Sequence, residues 1–280
     1  MVRCELDASF SGSCAKRRWA IVAAGVLLAG SLFAKDEGSK RLTESPRHQE
    51  WAAVKYGDRT IHSFVVFPQV KEKAPVVLII HENRGLTDWE RSVADRVAEA
   101  GFIAVAPDLL SGMGPNGGKT SDFPDQDAAR NAIYKLPPEQ VTQDLQAVAD
   151  YALKLSAANG KLAVAGFCWG GSQTFRLATN RPKLAAAFVF YGTGPMDIEE
   201  IKRIQCPVYG FYGGADARVT STVEATGKLM KEAGKTYEPV VYEGAGHAFM
   251  RTGERAEPDN PNRKAHDVAW KRWISLLKAL

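Results

Sequence analysis

Three residues in the second half of the chain have the types and the spacing of a nucleophile, an acid and a base. Cys168 lies in Gly166–Gly171, between the apolar run 162–165 and the helix-like stretch 172–179. A strand, a sharp glycine-flanked turn and a helix, with a nucleophile at the apex, form a nucleophile elbow. The glycines let the strand and the helix pass closely around a strained apex residue. Because the apex lies at a helix N-terminus, we expect a lowered thiol pKa and a stabilised oxyanion.

Asp216 and His247 supply the acid and the base. Each ends a glycine-rich segment that follows a strand-like run, Asp216 after Tyr212 and His247 after Tyr242. Taken singly, they fit a turn aspartate and a loop histidine, and Cys168 fits a buried structural cysteine. Their order along the chain favours a triad in which Cys168 attacks an acyl carbon, His247 activates the thiol and protonates the leaving group, and Asp216 orients the imidazole. A thiol nucleophile suits a good leaving group, such as that of an enol lactone.

The elements that must position these residues alternate between strands and helices. A hairpin over 51–67 precedes an apolar strand at 75–80, and Thr87 with Glu90 forms a capping box for a helix to Ala100. Further strands are predicted at 102–108, 162–165, 184–191, 206–212 and 238–242, and further helices at 125–136, 139–155, 198–203, 219–233 and from about 262. This alternation predicts a doubly wound, mostly parallel α/β sheet with helices on both faces and its chemistry at the carboxyl ends of the strands.

Composition limits the classes of function. A chain of 280 residues that is 45% hydrophobic can bury one large α/β core. The net charge of +4 is spread without a basic block, which disfavours a nucleic-acid partner. The Cys and His residues lack zinc-type spacing, so we expect no metal and no cofactor.

The N-terminus has the pattern of a secretory signal peptide. Lys16–Arg18 precede fifteen mostly apolar residues, 19–33, and then Ala34. We expect cleavage after Ala34, with an alternative after Ser31. The mature protein is then expected to be exported, periplasmic or secreted, as a monomer without a stable membrane anchor. The Sec and twin-arginine routes both stay open. The predicted organisation is a signal peptide at 1–34, a flexible lead-in at 35–50 and one domain at 51–280. Cys206 is expected to be a core residue that forms no disulfide.

At these positions the chain resembles the dienelactone hydrolase family, whose members have the α/β-hydrolase fold. The family's elbow G-x-C-x-G-G matches Gly166–Gly171, its acid loop G-x-x-D matches Gly213–Asp216, and its G-H-x-F-x-R loop matches Gly246–Arg251. The resemblance extends from about Trp51 to the C-terminus. It implies a small ester or lactone substrate, oxyanion donors at the backbone N–H groups of Trp169 and Asn83, and a glutamate, Glu82, that interacts with the resting thiol.

The resemblance also implies recognition of a substrate carboxylate. Family members that act on dienelactone hold its carboxylate with two arginines, which correspond here to Arg130, four residues before Tyr134, and to Arg251. Guanidinium groups bind carboxylates through paired hydrogen bonds. Arg84 adds a further positive charge at the mouth of the site. The signal peptide and the polar segment 81–84 depart from the cytosolic members of the family, and this departure argues against dienelactone itself as the substrate.

Three functions therefore stay open. The first is an exported cysteine hydrolase of carboxylate-bearing esters or enol lactones. The second is a broad carboxylesterase whose arginines are only structural. The third is a non-catalytic binding protein on the same fold, which the presence of all three triad residues disfavours. A thiol-redox role is weaker still, because no C-x-x-C motif or resolving cysteine accompanies Cys168.

Overall fold

The computed structural model describes residues 37–280, and these form one eight-stranded sheet. The strand order is β1-β2-β4-β3-β5-β6-β7-β8. The pairs β1–β2 and β2–β4 are antiparallel, and all the other neighbouring pairs are parallel. The strands are β1 (Gln49–Tyr56), β2 (Arg59–Val66), β3 (Ala74–Ile80), β4 (Ile103–Pro107), β5 (Ala158–Phe167), β6 (Ala186–Phe190), β7 (Val208–Gly213) and β8 (Tyr237–Tyr242).

Helices connect the strands and cover the sheet. They are α1 (Glu37–Glu44), α2 (Asp88–Glu99), α3 (Gln126–Ile133), α4 (Pro138–Leu153), α5 (Trp169–Asn180), α6 (Ile198–Lys202), α7 (Ala217–Thr220), α8 (Val223–Glu232), α9 (Phe249–Thr252) and α10 (Pro261–Lys278). Short 3₁₀ turns lie at Pro115–Gly117, Thr120–Asp122 and Gly253–Arg255.

The core consists of two apolar layers, one on each face of the sheet. Successive side chains of a strand point to opposite faces. Along β3, Val76 and Leu78 pack in the layer that includes α4 and α5, whereas Val77 and Ile79 pack in the layer that includes α2 and α10. All four side chains are fully buried, which explains why β3 is a continuous apolar run. The prediction of a mostly parallel sheet covered on both faces, the α/β-hydrolase fold, is confirmed.

The capping box predicted for α2 is present. The side chain of Thr87 accepts a hydrogen bond from the Trp89 backbone, and the Glu90 carboxylate accepts one from the Thr87 backbone N–H at 3.0 Å. Cys206 is buried and free, as predicted, and Cys168 is also free.

The predicted flexible lead-in at 35–50 is wrong for residues 37–50, which form α1, a connecting loop and the start of β1. Arg41 and Arg47 of this segment both pair with the buried carboxylate of Asp95 on α2, at 2.7 Å each. The polar composition suggested mobility, but ion pairs with the domain hold the segment in place.

The helix predicted at 219–233 is two helices, α7 and α8. The hydroxyl groups of Thr220 and Thr222 donate to the carbonyl oxygens of Gly213 and Val219, at 2.7 Å each, and such local bonds compete with a continuous helix. The predicted signal peptide at 1–34 lies outside the described residues. Within residues 37–280, no helix combines the length and the apolar character needed to span a membrane.

Candidate active site

The elbow places Cys168 between the end of β5 and the first residue of α5. Cys168 has φ 55° and ψ −116°, a backbone conformation that costs free energy for any residue with a side chain. A Cβ atom at Gly166 would overlap the Gly170 carbonyl oxygen, and one at Gly170 would overlap the His81 carbonyl oxygen. Only glycine at both positions lets the helix start this close to β5 and β3.

The three residues predicted to form the triad are brought together. The Nε2 atom of His247 lies 3.0 Å from the Cys168 sulfur, and its Nδ1 atom lies 2.5 Å from Oδ2 of Asp216. Asp216 follows β7 and is buried, while His247 follows β8 and is partly exposed. The arrangement has the geometry of a nucleophile, a base and an orienting acid.

The thiol environment differs from the one expected from the sequence. The pKa of the Cys168 thiol is raised to about 11, mainly by burial and to a lesser extent by the charge of Glu82. Hydrogen bonds from the backbone N–H groups of Trp169 and Asn83 and the charge of Arg218 act in the opposite direction. The expected lowering of the thiol pKa is therefore wrong, because burial and Glu82 outweigh the helix N-terminus.

The two predicted oxyanion donors lie at the thiol. The backbone N–H groups of Trp169 and Asn83 lie close enough to the Cys168 sulfur to oppose the rise of its pKa. Donors aimed at one point beside the nucleophile can stabilise the oxygen of a tetrahedral intermediate.

Glu82 is almost completely buried and bonds to two side chains. Its carboxylate accepts hydrogen bonds from Nε of Arg251 at 3.0 Å and from the hydroxyl of Tyr191 at 3.3 Å. The pKa of Glu82 is raised to about 7, mainly by burial and to a lesser extent by the charge of Glu90. Arg251 and Tyr191 limit this rise. The thiol hydrogen bonds to His247 in this structure, so an interaction of Glu82 with the resting thiol stays a prediction.

The residues predicted to bind substrate lie in different places. Tyr134 lines the cavity at the thiol, and its hydroxyl accepts a hydrogen bond from the Asn83 side chain at 3.0 Å. Arg130 is exposed and pairs with Asp127 at 3.2 Å. Arg251 is paired with Glu82. The roles of the two arginines stay predictions, since both already bind carboxylates of the protein.

The cavity at the thiol has a volume of about 150 Å³ and contains residues that the sequence reasoning missed. One of them is Arg218, two residues after Asp216, and another is Tyr191, directly after β6. The only signals in the sequence were that Arg218 lies two residues after the predicted acid and that Tyr191 ends a predicted strand. The lining residues are Tyr134, Cys168, Trp169, Ser172, Tyr191, Thr193, Arg218 and Val219.

A second cavity of about 390 Å³ lies on the Arg251 side of Glu82 and is also lined by Arg84. This cavity does not include Cys168, so a place for Arg84 at the mouth of the thiol cavity stays a prediction. Among residues 37–280, no cluster of three His, Cys, Asp or Glu side chains could hold a metal ion.

Comparisons with known proteins identify the family of the chain. Residues 61–280 match the model of the Dienelactone hydrolase family. A protein of Methylorubrum extorquens named "Putative carboxymethylenebutenolidase" is 32% identical over 231 residues, which cover 77% of this chain and 75% of that protein. The "Carboxymethylenebutenolidase" of Pseudomonas putida is 29% identical over 206 residues, covering 70% and 84% of the two chains.

A solved structure supports the same assignment. The crystal structure of a "Putative Dienelactone Hydrolase" from Klebsiella pneumoniae superimposes with a TM-score of 0.72 at 25% identity, covering 84% of this chain and 99% of that one. The family match spans β2 to the end of α10 and therefore includes the elbow, the acid loop and the histidine loop. The chain belongs to the dienelactone hydrolase family.

Proposed function

We propose that the protein is a cysteine-dependent hydrolase of small esters or enol lactones that works through Cys168, His247 and Asp216. The observation that carries this proposal is the hydrogen-bonded series from the Cys168 sulfur through the His247 imidazole to Asp216, at 3.0 and 2.5 Å. The carboxymethylenebutenolidase name of the relatives supports a lactone among the substrates.

Each step of the reaction has a residue to perform it. His247 Nε2 takes the thiol proton as the Cys168 sulfur forms a bond to the substrate carbonyl carbon. The Trp169 and Asn83 backbone N–H groups stabilise the oxyanion that forms. When the carbon–oxygen bond breaks, His247 gives its proton to the leaving oxygen and a thioester remains. Water, deprotonated by His247, then attacks the thioester, and the proton returns to the sulfur.

The substrate would carry a carboxylate close to the scissile bond. Arg218 is the arginine that lines the thiol cavity, and its positive charge acts on the Cys168 sulfur. Among residues 37–280, its guanidinium forms no ion pair with a carboxylate, whereas Arg130 and Arg251 pair with Asp127 and Glu82. Arg218 is thus the arginine best placed to bind a substrate anion. Arg251 could do so only after leaving Glu82.

A broad carboxylesterase is the second candidate. The observation that favours it is that both arginines expected to bind the substrate already pair with carboxylates of the protein. The two candidates differ in whether a carboxylate on the substrate raises kcat/KM relative to the corresponding methyl ester or amide.

The test of the enzyme is hydrolysis of p-nitrophenyl acetate by the wild type and by Cys168→Ala, before and after treatment with iodoacetamide. We expect activity in the untreated wild type alone. Activity that survives in Cys168→Ala would exclude a thiol nucleophile. A folded, reduced wild type that hydrolyses neither this ester nor carboxylated lactones would leave the binding-protein alternative.

Export is part of the proposal and rests on the sequence pattern of residues 16–34. It is tested by expressing the full chain in a Gram-negative host, separating the periplasm from the cytoplasm and determining the N-terminus of the product. We expect a periplasmic product that begins at Lys35 or Leu32. A cytoplasmic product with an intact N-terminus would contradict export.

A further inference from the structure

His81 is a fully buried histidine whose side chain contacts both segments that supply the oxyanion donors. Its Nδ1 atom lies 2.7 Å from the Glu82 carbonyl oxygen, and its Nε2 atom lies 3.3 Å from the backbone nitrogen of Leu109. A ring nitrogen that accepts a backbone N–H carries no proton. The contacts therefore define a neutral imidazole with its proton on Nδ1, donated to the Glu82 carbonyl.

The bond to the Glu82 carbonyl determines the direction of the Asn83 N–H. This carbonyl and this N–H belong to the same peptide unit, which is planar, and the described residues contain no cis peptide bond. In a trans unit the C=O and the N–H point in opposite directions. With the carbonyl held by His81, the Asn83 N–H faces away from the imidazole, on the side where it acts on the Cys168 thiol.

The same imidazole contacts the segment that carries the second donor. The ring of His81 stacks on the Trp169 indole, with the centroids 5.6 Å apart and the planes 14° from parallel. Behind this stack, Gly170 has no Cβ, so the start of α5 lies directly against the His81 carbonyl. The bond from the Leu109 N–H anchors the far side of the imidazole to the segment that follows β4.

We propose that His81 is a positioning residue of the oxyanion hole, because its imidazole fixes the Glu82–Asn83 peptide through a hydrogen bond and the Trp169 segment through ring stacking. The inference rests on the proposed cysteine hydrolase function and deepens it. His81 does not touch the reacting atoms. It acts on the negative charge that develops on the carbonyl oxygen and not on the removal of the thiol proton by His247.

The test separates acylation from simple reaction of the thiol. Alkylation by iodoacetamide forms no oxyanion, whereas ester hydrolysis does. His81→Phe keeps a stacking ring but removes both hydrogen bonds, and His81→Asn loses the ring but keeps an amide donor near the Nδ1 position. His266→Phe is the matched control, since His266 is also buried and also stacks on a tryptophan, Trp270, at 6.5 Å.

Loss of one oxyanion donor lowers kcat by roughly 10²–10³-fold. For His81→Phe, which disorders a donor without deleting it, we expect kcat for p-nitrophenyl acetate to fall about 10- to 100-fold, with KM within about threefold. The alkylation rate should change by less than about fivefold. We expect His81→Asn to recover most of kcat and His266→Phe to match the wild type.

Two results would overturn the inference. One is an unchanged kcat in folded His81→Phe. The other is an equal fall of hydrolysis and alkylation in His81→Phe without recovery in His81→Asn, which indicates a general structural role. If His81→Phe does not fold, His81→Gln replaces it, because the longer amide reaches toward Leu109 rather than toward the Glu82 carbonyl. Equal kcat values for the Asn and Gln variants would then exclude the inference, and a higher value for Asn would support it.

Failure of the proposed function is distinguishable from failure of this inference. If Cys168→Ala hydrolyses the ester as fast as the wild type, the cysteine mechanism is wrong whatever the His81 variants do. If Cys168→Ala is inactive and His81→Phe is fully active, only the role of His81 is wrong.

Discussion

At the residue scale, the reactivity of the site depends on how burial balances charge around two acids, the Cys168 thiol and the Glu82 carboxyl. Both groups are buried and each has a negative charge nearby, Glu82 beside the thiol and Glu90 beside Glu82, so the pKa of each is raised. The residue types and their order along the chain were readable from the sequence. The direction of the thiol pKa shift was not, because it depends on how deeply the folded protein buries the sulfur.

The raised pKa of Glu82 predicts a pH dependence of stability. Its pKa is about 7 in the folded protein and 4.5 ordinarily, so between these values the folded state binds more protons than the unfolded state. Stability due to this group is fully present below about pH 4.5 and is lost as the pH rises to about 7. The shift corresponds to a loss of about 3 kcal/mol. We expect the stability of Glu82→Gln, relative to the wild type, to increase by up to that amount between pH 4 and pH 8.

Urea denaturation at the two pH values measures this difference. Glu139→Gln is the control, because Glu139 is exposed and its removal should give the same difference from the wild type at both pH values, within about 1 kcal/mol. A pH-independent difference for Glu82→Gln would show that the carboxyl has an ordinary pKa in the folded protein.

The position of Arg218 in the thiol cavity predicts that the enzyme prefers substrates that carry a carboxylate. Hydrogen bonds to charged groups contribute about 1.5–3 kcal/mol, or roughly 10- to 100-fold in an equilibrium constant. For Arg218→Gln we expect kcat/KM for a carboxylate-bearing ester to fall about 10-fold or more, with less than about threefold change for the uncharged analogue. Steady-state kinetics on the two substrates measures both values.

Arg130→Gln is the matched control, because Arg130 is exposed and pairs with Asp127 outside the thiol cavity. We expect it to leave both substrates unaffected. A selective loss for the charged substrate in Arg130→Gln, with none in Arg218→Gln, would show that Arg130, one of the two arginines indicated by the family resemblance, binds the substrate carboxylate.

At the scale of elements, the close approach of α5 to the ends of β3 and β5 forms the site. The approach brings the Trp169 N–H and the Asn83 N–H to one sulfur, and it depends on glycine at 166 and 170. The glycine pattern was visible in the sequence and predicted the elbow. The contact of Gly170 with the His81 carbonyl was not, since it joins segments about 90 residues apart.

Gly170→Ala is expected to destabilise the protein and to lower its activity. The added methyl group would overlap the carbonyl oxygens of Ile80 and His81, which are backbone atoms that cannot move independently of β3. Overpacking of this kind costs about 1–3 kcal/mol. Displacement of the oxyanion segment should also reduce kcat about 10-fold or more.

Gly227→Ala in α8 is the control, because its methyl group would lie 3.9 Å from the Tyr237 ring, an ordinary contact. Alanine is favoured over glycine in a helix by up to about 1 kcal/mol, so this variant should be slightly more stable. Chemical denaturation and p-nitrophenyl acetate hydrolysis measure both variants. A Gly170→Ala variant with the stability and activity of the wild type would refute the steric argument.

At the scale of the whole molecule, residues 37–50 join the domain through ion pairs with a buried carboxylate, beside the apolar packing of Leu42. The guanidinium of Arg47 makes two hydrogen bonds to the Asp95 carboxylate, at 2.8 and 2.7 Å, and Arg41 pairs with the same group. The Asp95 side chain is completely buried. A polar segment in the sequence does not reveal such a partner, because Asp95 lies about 50 residues away on a different helix.

Asp95→Asn is expected to destabilise the protein by about 3 kcal/mol, because removing one partner of a buried pair leaves the other charges uncompensated. Limited proteolysis should then cut within residues 37–48 before it cuts elsewhere. Glu99→Gln is the control: this carboxylate is exposed, and its pairs should contribute less than about 1 kcal/mol. Equal stability of the two variants would contradict the anchoring role of Asp95.

The sequence by itself determined the fold class and the order of the elements, and it predicted the three residues that the structure brings together, Cys168, Asp216 and His247. It could do so because apolar periodicity and glycine-bounded loops are local properties, and because parallel strands bring the loops at their carboxyl ends to one edge of the sheet. Only the tertiary structure decided the sign of the thiol pKa shift, the pairing of Arg251 with Glu82, the presence of Arg218 in the cavity and the position of His81. These depend on burial and on distances between segments far apart in the chain, which no local pattern encodes.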